Sequence, residues 1–159
     1  MVTINIICVG KLKESYWRAA VEEYSKRLKP LCKLNILELP EERVGDNPSA
    51  AEISRTINVE SDRILSKLGK GDYTVAMCVE GRNISSEELS QRLEDVCLTH
   101  STINWIIGGS WGLSDSLKAR ADFKLSIGKM TFPHQLCRVM LLEQLYRAFQ
   151  IAKGTKYHK

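Results

Sequence analysis

The sequence lacks the features that mark membrane-spanning, secreted or metal-binding proteins. No apolar run approaches the roughly 20 residues that a membrane-spanning helix requires. The N-terminal segment MVTINIICVG has no basic leader and no cleavage site, so we expect no signal peptide and a cytoplasmic location. The five cysteines form no CxxC pair, and their wide spacing argues against a disulfide framework and against a zinc site. We therefore expect neither a membrane partner nor a metal.

Two common phosphate-binding motifs are also missing. The first strand-like run is followed by Gly10-Lys-Leu-Lys-Glu14, which does not match the GxGxxG fingerprint of dinucleotide-binding folds. The segment Gly108-Gly109-Ser-Trp-Gly112 is rich in glycine, but it lacks the Lys-Ser/Thr pair of a Walker P-loop. These absences count against a doubly wound oxidoreductase that uses a dinucleotide.

Length and composition indicate one ordinary globular domain. The chain has 159 residues, of which 43% are hydrophobic and 26% charged, so we predict a single domain over residues 1–159. The net charge of +4 is unevenly distributed: residues 129–159 carry six Lys or Arg and one Glu, which leaves −1 for the other 128 residues. This basic cluster suits a phosphate-facing surface, but a solvated helix face with a soluble tail explains it equally well.

Strand-like and helix-like patterns alternate along the chain. Apolar and β-branched runs predict strands at 3–9, 34–39, 73–79, 103–107 and 123–127. Apolar residues spaced three or four apart, with capping or proline signals at their ends, predict helices at about 14–29, 49–68, 85–97, 114–121 and 134–153. This alternation is typical of an α/β fold, with a mainly parallel sheet of five or six strands and helices on both faces.

Glycine-bearing loops follow the third, fourth and fifth predicted strands, and they read VEGRN, GGSWG and GKMTFP. In such sheets ligands bind outside the carboxyl ends of the strands, and glycine lets the backbone approach a ligand closely. Together the loops could form a slot for an adenine or a nucleoside, although each glycine alone is better explained as a turn residue. Because the phosphate motifs are missing, S-adenosylmethionine is the obvious candidate, although spacing alone does not establish it.

Three segments of the sequence carry a family resemblance. They are IIGGSWGLS, SIGKMTFPHQLCRVMLLEQLYRA and the terminal YHK. In this order they closely resemble the RlmH family of ribosomal RNA methyltransferases, within the SPOUT superfamily, and the similarity extends from VGKLKESYW to the last residues. The resemblance implies a SPOUT-type α/β fold whose C-terminal part is threaded through a loop as a trefoil knot, a rare exception to the usual rules of chain connection.

The resemblance also implies an activity. Members of this family act as homodimers, bind S-adenosylmethionine in the knotted loops, and methylate N3 of a pseudouridine in large-subunit (23S) ribosomal RNA within the assembled ribosome. Trp111 looks like a variable position of the family and receives no role. The alternative is a catalytically silent RNA- or ribosome-binding module of the same fold, which cofactor binding would distinguish. The family's cofactor contacts carry over onto Met77, Gly108, Ile127, Gly128, Lys129, Met130, Thr131 and Phe132.

His134 and Arg138 are the candidate catalytic residues. The acceptor imide nitrogen must lose a proton during methyl transfer, and a neutral histidine at a helix N-terminus could accept it. His134 directly follows Pro133 at the predicted start of the last helix, although capping that helix is a simpler role for it. Arg138 lies one turn further on the same face, where it could bind a target phosphate or stabilise the base anion. Glu143 and Arg147 have the same spacing and predict a helix ion pair.

The last helix and the tail are expected to make intermolecular contacts. Apolar residues cover more of this helix than one core-facing stripe requires, which either a dimer interface or burial within a knot explains. Tyr157, His158 and Lys159 match a recurring motif of the family, and we expect them to bind RNA or to reach the partner subunit's active site. Tyr157 could stack on a base and Lys159 could meet a phosphate, although short chain ends are commonly frayed.

Overall fold

The chain folds into five strands and five helices that alternate as predicted. The computed structural model describes residues 1–159. None of its helices is both long enough and apolar enough to cross a bilayer. The strands are β1 (Thr3–Val9), β2 (Lys33–Leu39), β3 (Tyr73–Arg82), β4 (Thr102–Ile107) and β5 (Phe123–Leu125). The helices are α1 (Ser15–Leu28), α2 (Ala50–Leu65), α3 (Ser86–Cys97), α4 (Asp115–Arg120) and α5 (His134–Ala152).

All five strands pair in parallel, in the order β2-β1-β4-β3-β5. Helices α1, α3 and α5 pack on one face of this sheet, and α2 and α4 pack on the other. This confirms the predicted α/β class. Because β4, β3 and β5 are neighbours, the three glycine-bearing segments lie side by side at the carboxyl edge of the sheet. The strand pairings do not test the predicted knot, which stays a prediction.

Helix α5 lies between α1 and α3, and this position explains much of its apolar surface. Its buried side chains belong to the larger core cluster, and several partly buried apolar side chains pack against the same cluster. A helix with neighbours on two sides and a sheet beneath it requires apolar residues over more than one stripe. The buried members are Leu141, Leu142, Leu145 and Ala148, and the partly buried ones include Val139, Tyr146 and Phe149.

Three asparagines form a polar ladder across the sheet. The Asn35 side chain of β2 donates to Asn5 of β1, and Asn5 donates to Asn104 of β4, both at 2.8 Å. Asn104 donates in turn to Asp72 Oδ2 at 3.0 Å, immediately before β3. Asn104 is fully buried, and an unpaired amide at such a position would cost about 1–3 kcal/mol. The ladder therefore links three neighbouring strands at matched positions and continues to the residue that precedes β3.

The boundary between β3 and β5 differs from the prediction. The sequence predicts VEGRN as a loop, and this prediction is wrong in part, because β3 continues to Arg82. The pairing of β3 with β5 is irregular, since Leu125 opposes both Met77 and Arg82. The residues between them form a bulge. Gly81 permits a close approach of the two backbones, since a Cβ at this position would lie 2.6 Å from the carbonyl carbon of Leu125. β5 ends at Leu125, so residues 126–127, which the sequence pattern predicts as strand, belong to the next loop.

Substitution of Gly81 by Ala tests this close approach. The added methyl group has to displace the backbone of β5, and overpacking of this kind costs about 1–3 kcal/mol of unfolding free energy. The matched control is Gly45→Ala, because a Cβ at Gly45 has no atom within 4 Å. We expect urea denaturation to show a loss for Gly81→Ala and little change for Gly45→Ala. Equal stability of the two variants would show that β3 and β5 separate without cost.

Candidate functional site

A cavity of about 790 Å³ lies where the carboxyl edge of the sheet meets the start of α5. Its walls come from residues 77–80 of β3, residues 107–113 at and after the end of β4, residues 125–128 around the end of β5, and residues 130–135 leading into α5. Lys118 of α4 and Cys137 of α5 complete the wall. The volume is within the range of roughly 300–1,000 Å³ that is usual for small-ligand sites. The three loops chosen from the sequence therefore enclose one space.

The structure brings together seven of the eight residues predicted to bind the cofactor. Lys129 is the exception, because it does not line the cavity and its side chain is exposed. No group of three or more His, Cys, Asp or Glu side chains is arranged to hold a metal ion. The seven residues that line the cavity are Met77, Gly108, Ile127, Gly128, Met130, Thr131 and Phe132.

Short-range hydrogen bonds shape two of the loops. After β4, the Gly112 N–H donates to the Gly109 carbonyl at 3.1 Å, and Gly112 has a φ of +87°, which glycine adopts without strain. This turn lies against Gly108, where a Cβ would be 3.0 Å from the Gly112 carbonyl oxygen. After β5, Ser126 Oγ accepts from the Gly128 N–H at 3.2 Å and donates to the Gly128 carbonyl at 2.9 Å. Each loop is therefore held by its own residues.

Helix α2 supports the loop after β4 from outside the cavity. Ser61 Oγ accepts from the Ser114 N–H at 2.9 Å. The neighbouring Glu60 is 3% exposed, and its Oε2 accepts from the Glu42 N–H at 3.0 Å, whereas its Oε1 has no partner. A Cβ at Gly109 would lie 3.1 Å from this unpaired oxygen. Burial raises the pKa of Glu60, and the hydrogen bond from Glu42 opposes this only in part.

His134 is the first residue of α5, and its half-buried side chain lines the cavity. Burial lowers the pKa of its imidazole below 6.5, the nearby Glu41 carboxylate opposes this shift, and the Arg138 guanidinium adds to it. A lowered pKa favours the neutral ring at pH 7. The location and the direction of the shift agree with the expectation of a neutral histidine at the helix start. Its role in proton transfer stays a prediction.

Arg138 is not available to a ligand, which contradicts the prediction that it binds a target phosphate or stabilises a base anion. The residue is 1% exposed and lines no part of the cavity. Arg138 Nη1 donates to Glu38 Oε2 at 2.7 Å, and Nη2 donates to the Gly10 carbonyl at 3.2 Å. The guanidinium group therefore ties α5 to the ends of β1 and β2. Helix spacing places Arg138 near His134, but it does not reveal a partner 100 residues away.

Sequence reasoning missed three side chains in the cavity wall. Glu80, in the bulged end of β3, forms an ion pair with Lys118 of α4. The hydrogen bond from Lys118 holds the pKa of Glu80 below its usual range. Trp111, which received no role, lines the cavity and is 42% exposed. No local spacing links Glu80 with Lys118, since they are 38 residues apart, so only the fold brings them together.

A second cavity of about 460 Å³ adjoins the first. The two share Met77, Leu125, Ser126 and Ile127 in their walls. The remaining wall of the second cavity comes mainly from α3 and α5 and includes the Glu143 side chain. A group bound in the second cavity would therefore lie directly beside a ligand in the first.

The C-terminal tail folds onto α3 and α5 beside the second cavity. The Tyr157 hydroxyl donates to Glu143 Oε1 at 3.1 Å, and Arg147 forms the predicted ion pair with the same carboxylate at 2.6 Å. The Arg147 guanidinium also lies over the Tyr157 ring, 4.8 Å from its centroid. His158 Nε2 is 2.7 Å from Glu87 Oε1, whereas the final lysine is exposed. The tail thus binds its own chain, and its predicted contacts with RNA or a partner subunit stay predictions.

Comparison with known proteins decides the family. The family described as "Predicted SPOUT methyltransferase" matches residues 2–158. The chain belongs to the SPOUT methyltransferase family. This result confirms the resemblance found in the glycine-bearing loops and in the last helix, and it agrees with the parallel α/β architecture.

Individual relatives of this SPOUT methyltransferase are similar over almost their whole length. Two proteins named "Ribosomal RNA large subunit methyltransferase H", from Clostridium botulinum (strain Loch Maree / Type A3) and Streptococcus suis (strain 05ZYH33), are 51% and 47% identical over 157 residues. Each alignment covers 98% of this chain and 99% of the relative. Among solved structures, a "probable methylase family protein" from Haemophilus influenzae Rd KW20 has a TM-score of 0.53 at 11% identity. It covers 98% of this chain and 70% of that chain, and at this identity it supports the fold alone.

The buried Glu60 carboxyl predicts a pH dependence of stability. Because its pKa is raised in the folded state, the folded protein binds the proton more tightly than the unfolded chain does. The stabilisation is therefore fully present below about pH 4.5 and is lost as pH rises through the folded pKa. Glu60→Gln removes this ionisation, so its unfolding free energy should increase relative to wild type between pH 4.5 and pH 8. Urea denaturation across this range measures the difference.

The exposed Glu94→Gln variant controls for the loss of one negative charge. A difference between Glu60→Gln and wild type that stays constant with pH would contradict the assignment of the shift to Glu60.

Proposed function

We propose that this protein transfers a methyl group from S-adenosylmethionine to N3 of a pseudouridine in 23S ribosomal RNA within the assembled ribosome. Membership of the SPOUT methyltransferase family supports this proposal, as does the shared name of the relatives described above. One observation carries it: three glycine-bearing segments at one sheet edge enclose a single cavity that has His134 in its wall.

The residues of the cavity fit an adenosine-containing donor without phosphates. Met77 and Phe132 supply apolar surface for a base, and the backbone near Gly108 and Gly128 can approach a ligand closely. The charged side chains in the wall form an ion pair with each other, so the wall offers no cluster of free cations for a phosphate. When bound, S-adenosylmethionine supplies an electrophilic methyl group on a sulfonium centre.

His134 is the proposed proton acceptor. Methylation of an imide nitrogen requires the loss of its proton, and a neutral imidazole can accept that proton within hydrogen-bonding distance. The lowered pKa of His134 keeps the ring in this form. Arg138 takes a different role from the one predicted from the sequence, because its ion pair with Glu38 fixes the helix turn that follows His134.

Charge and aromatic residues near the chain end support RNA binding. Lys129 and Lys159 are exposed, and cationic side chains of this kind bind RNA phosphates. Tyr157 and His158 contact helices that line the second cavity, beside the donor cavity. We assign the final three residues to recognition of the target RNA, with the second cavity as the space nearest to the transferred methyl group.

A homodimer is the proposed assembly. Helix α5 retains partly exposed apolar side chains even though α1 and α3 flank it, among them Leu136, Met140 and Ile151. A second copy of the chain packed on this helix would cover them. The same arrangement would bring the tail of one subunit close to the cavity of the other.

Substitution of Gly128 by Val tests the donor cavity. A Cβ at Gly128 has only the Phe132 ring within 4 Å, at 3.9 Å, so the fold accommodates it while the cavity loses space. We expect calorimetry to show S-adenosylhomocysteine binding to wild type and binding that is weaker by roughly tenfold or more in the variant. Methylation of ribosomes from cells lacking this protein, mapped by mass spectrometry of the 23S RNA, should fall in parallel.

Gly45→Val is the matched control, because Gly45 lies outside the cavity and has open space around it. If the wild type binds no S-adenosylhomocysteine, the methyltransferase proposal is wrong, and a silent ribosome-binding module becomes the better description. If Gly128→Val binds as well as wild type, the donor lies elsewhere.

Deletion of residues 157–159 separates donor binding from RNA recognition. The tail contacts Glu143, Arg147 and Glu87 but does not line the donor cavity. We therefore expect unchanged affinity for S-adenosylhomocysteine and loss of methyl transfer to ribosomes. Lys156→Ala, which removes one exposed charge just before the tail, is the control. Full methylation of ribosomes by the truncated protein would refute the role of the tail.

A further inference from the structure

The donor cavity contains a carboxylate that the proposed methyl transfer does not explain. Glu80 is the only Asp or Glu among the residues that line this cavity. It belongs to the bulged end of β3, where the irregular pairing with β5 turns residues 78–81 out of the regular ladder.

Lys118 anchors this carboxylate without using all of its capacity. The Lys118 ammonium group is paired with Glu80 Oε1, and the lysine side chain is 22% exposed whereas the glutamate side chain is 53% exposed. No other side chain donates to the carboxylate. An ionised carboxylate has about four acceptor sites, so even with a backbone hydrogen bond beside that of Lys118, sites remain open to a ligand. The low pKa of Glu80 keeps it ionised and therefore purely an acceptor.

The ligand group that best matches this arrangement is a neutral donor of hydrogen bonds. Lys118 already neutralises the charge of Glu80, so the pair has little net attraction for a cation. Vicinal hydroxyl groups donate two hydrogen bonds and need no countercharge. Acidic side chains beside the carboxyl ends of parallel strands bind ribose hydroxyls in other nucleotide-binding folds.

We propose that Glu80 binds the ribose hydroxyls of the methyl donor and makes the site selective for a nucleoside with free 2′ and 3′ hydroxyl groups. This inference rests on the proposed function, because it presupposes an adenosine-containing ligand in the cavity. Lys118 neutralises the charge of this carboxylate, and the hydrogen bonds to the sugar come from Glu80 alone. Glu80 and Lys118 thus form a recognition site for the sugar, separate from the glycine-bearing loops that surround the base.

The test combines a change in the protein with a change in the ligand. Calorimetry measures binding of S-adenosylhomocysteine and of its 2′-deoxy analogue to the wild type, to Glu80→Ala and to Glu80→Gln. Wild type should prefer the ribose form by about tenfold or more, the size expected for a hydrogen bond to a charged group. In Glu80→Ala this preference should largely vanish, because affinity for the ribose form falls more than affinity for the deoxy form, which keeps only the 3′ hydroxyl.

Two further measurements distinguish binding of the ribose from an effect of the ion pair and from binding of the amino-acid part of the donor. Lys118→Met keeps the carboxylate and should keep most of the preference for ribose, whereas it would behave like Glu80→Ala if only the ion pair mattered. 5′-Methylthioadenosine lacks the amino-acid part but keeps the ribose. If Glu80 binds ribose, Glu80→Ala should weaken this ligand as much as it weakens S-adenosylhomocysteine.

Each result has a defined meaning. An unchanged preference for ribose in Glu80→Ala overturns the proposal, as does equal weakening of the ribose and deoxy forms. If Glu80→Ala weakens binding of S-adenosylhomocysteine but not of 5′-methylthioadenosine, Glu80 contacts the amino-acid part of the donor, and this result also overturns the proposal. If the wild type binds none of the three ligands, the proposed function itself fails. If the wild type binds the ribose and deoxy forms equally well, only the proposed role of Glu80 fails.

Discussion

The ion pair between the buried Arg138 guanidinium and the partly exposed Glu38 carboxylate fixes the position of the cavity wall. It joins α5 to the end of β2, while a second bond to the Gly10 carbonyl joins the helix to the end of β1. His134 lies one turn earlier on the same helix, and Cys137 lines the cavity directly before Arg138. Removing Glu38 would leave the buried Arg138 guanidinium without its counter-charge, which destabilises the folded state. The helix start is thereby held against the sheet edge, and the cavity wall keeps its position.

The distribution of charge agrees with the two tasks proposed for the protein, binding of a methyl donor and binding of RNA. Inside the donor cavity the charged side chains, Glu80 and Lys118, are paired, and the histidine in its wall has a lowered pKa that favours the neutral form. Outside it, exposed lysines follow the last strand, namely Lys129, Lys153, Lys156 and Lys159. A neutral interior suits a donor without phosphates, and a basic exterior suits a polyanion.

Much of the fold was predictable because it depends on local patterns, whereas the exceptions depend on distant partners. Alternating apolar runs predict the five strands and five helices, and the strand order then brings the glycine loops together. The role predicted for Arg138 is wrong, because helix spacing shows which face of α5 carries this residue but does not show that Glu38 lies against it. The Glu80–Lys118 pair and the contact of Gly81 with β5 were missed for the same reason. The resemblance supplied Met77 and the residues after β5, which spacing alone did not distinguish from ordinary loop residues.

The asparagine ladder lies toward the amino-terminal side of the strands, far along the sheet from the cavity. Each strand advances about 3.3 Å per residue, so a shift of one residue in the register of a strand would move the loop at its carboxyl end by that distance. Such a slip would also turn an amide of Asn5 or Asn104 into the opposite helix layer and leave it unpaired. The asparagine amides thus fix the register of the strands. This register holds the loops at the carboxyl edge of the sheet in their positions relative to one another.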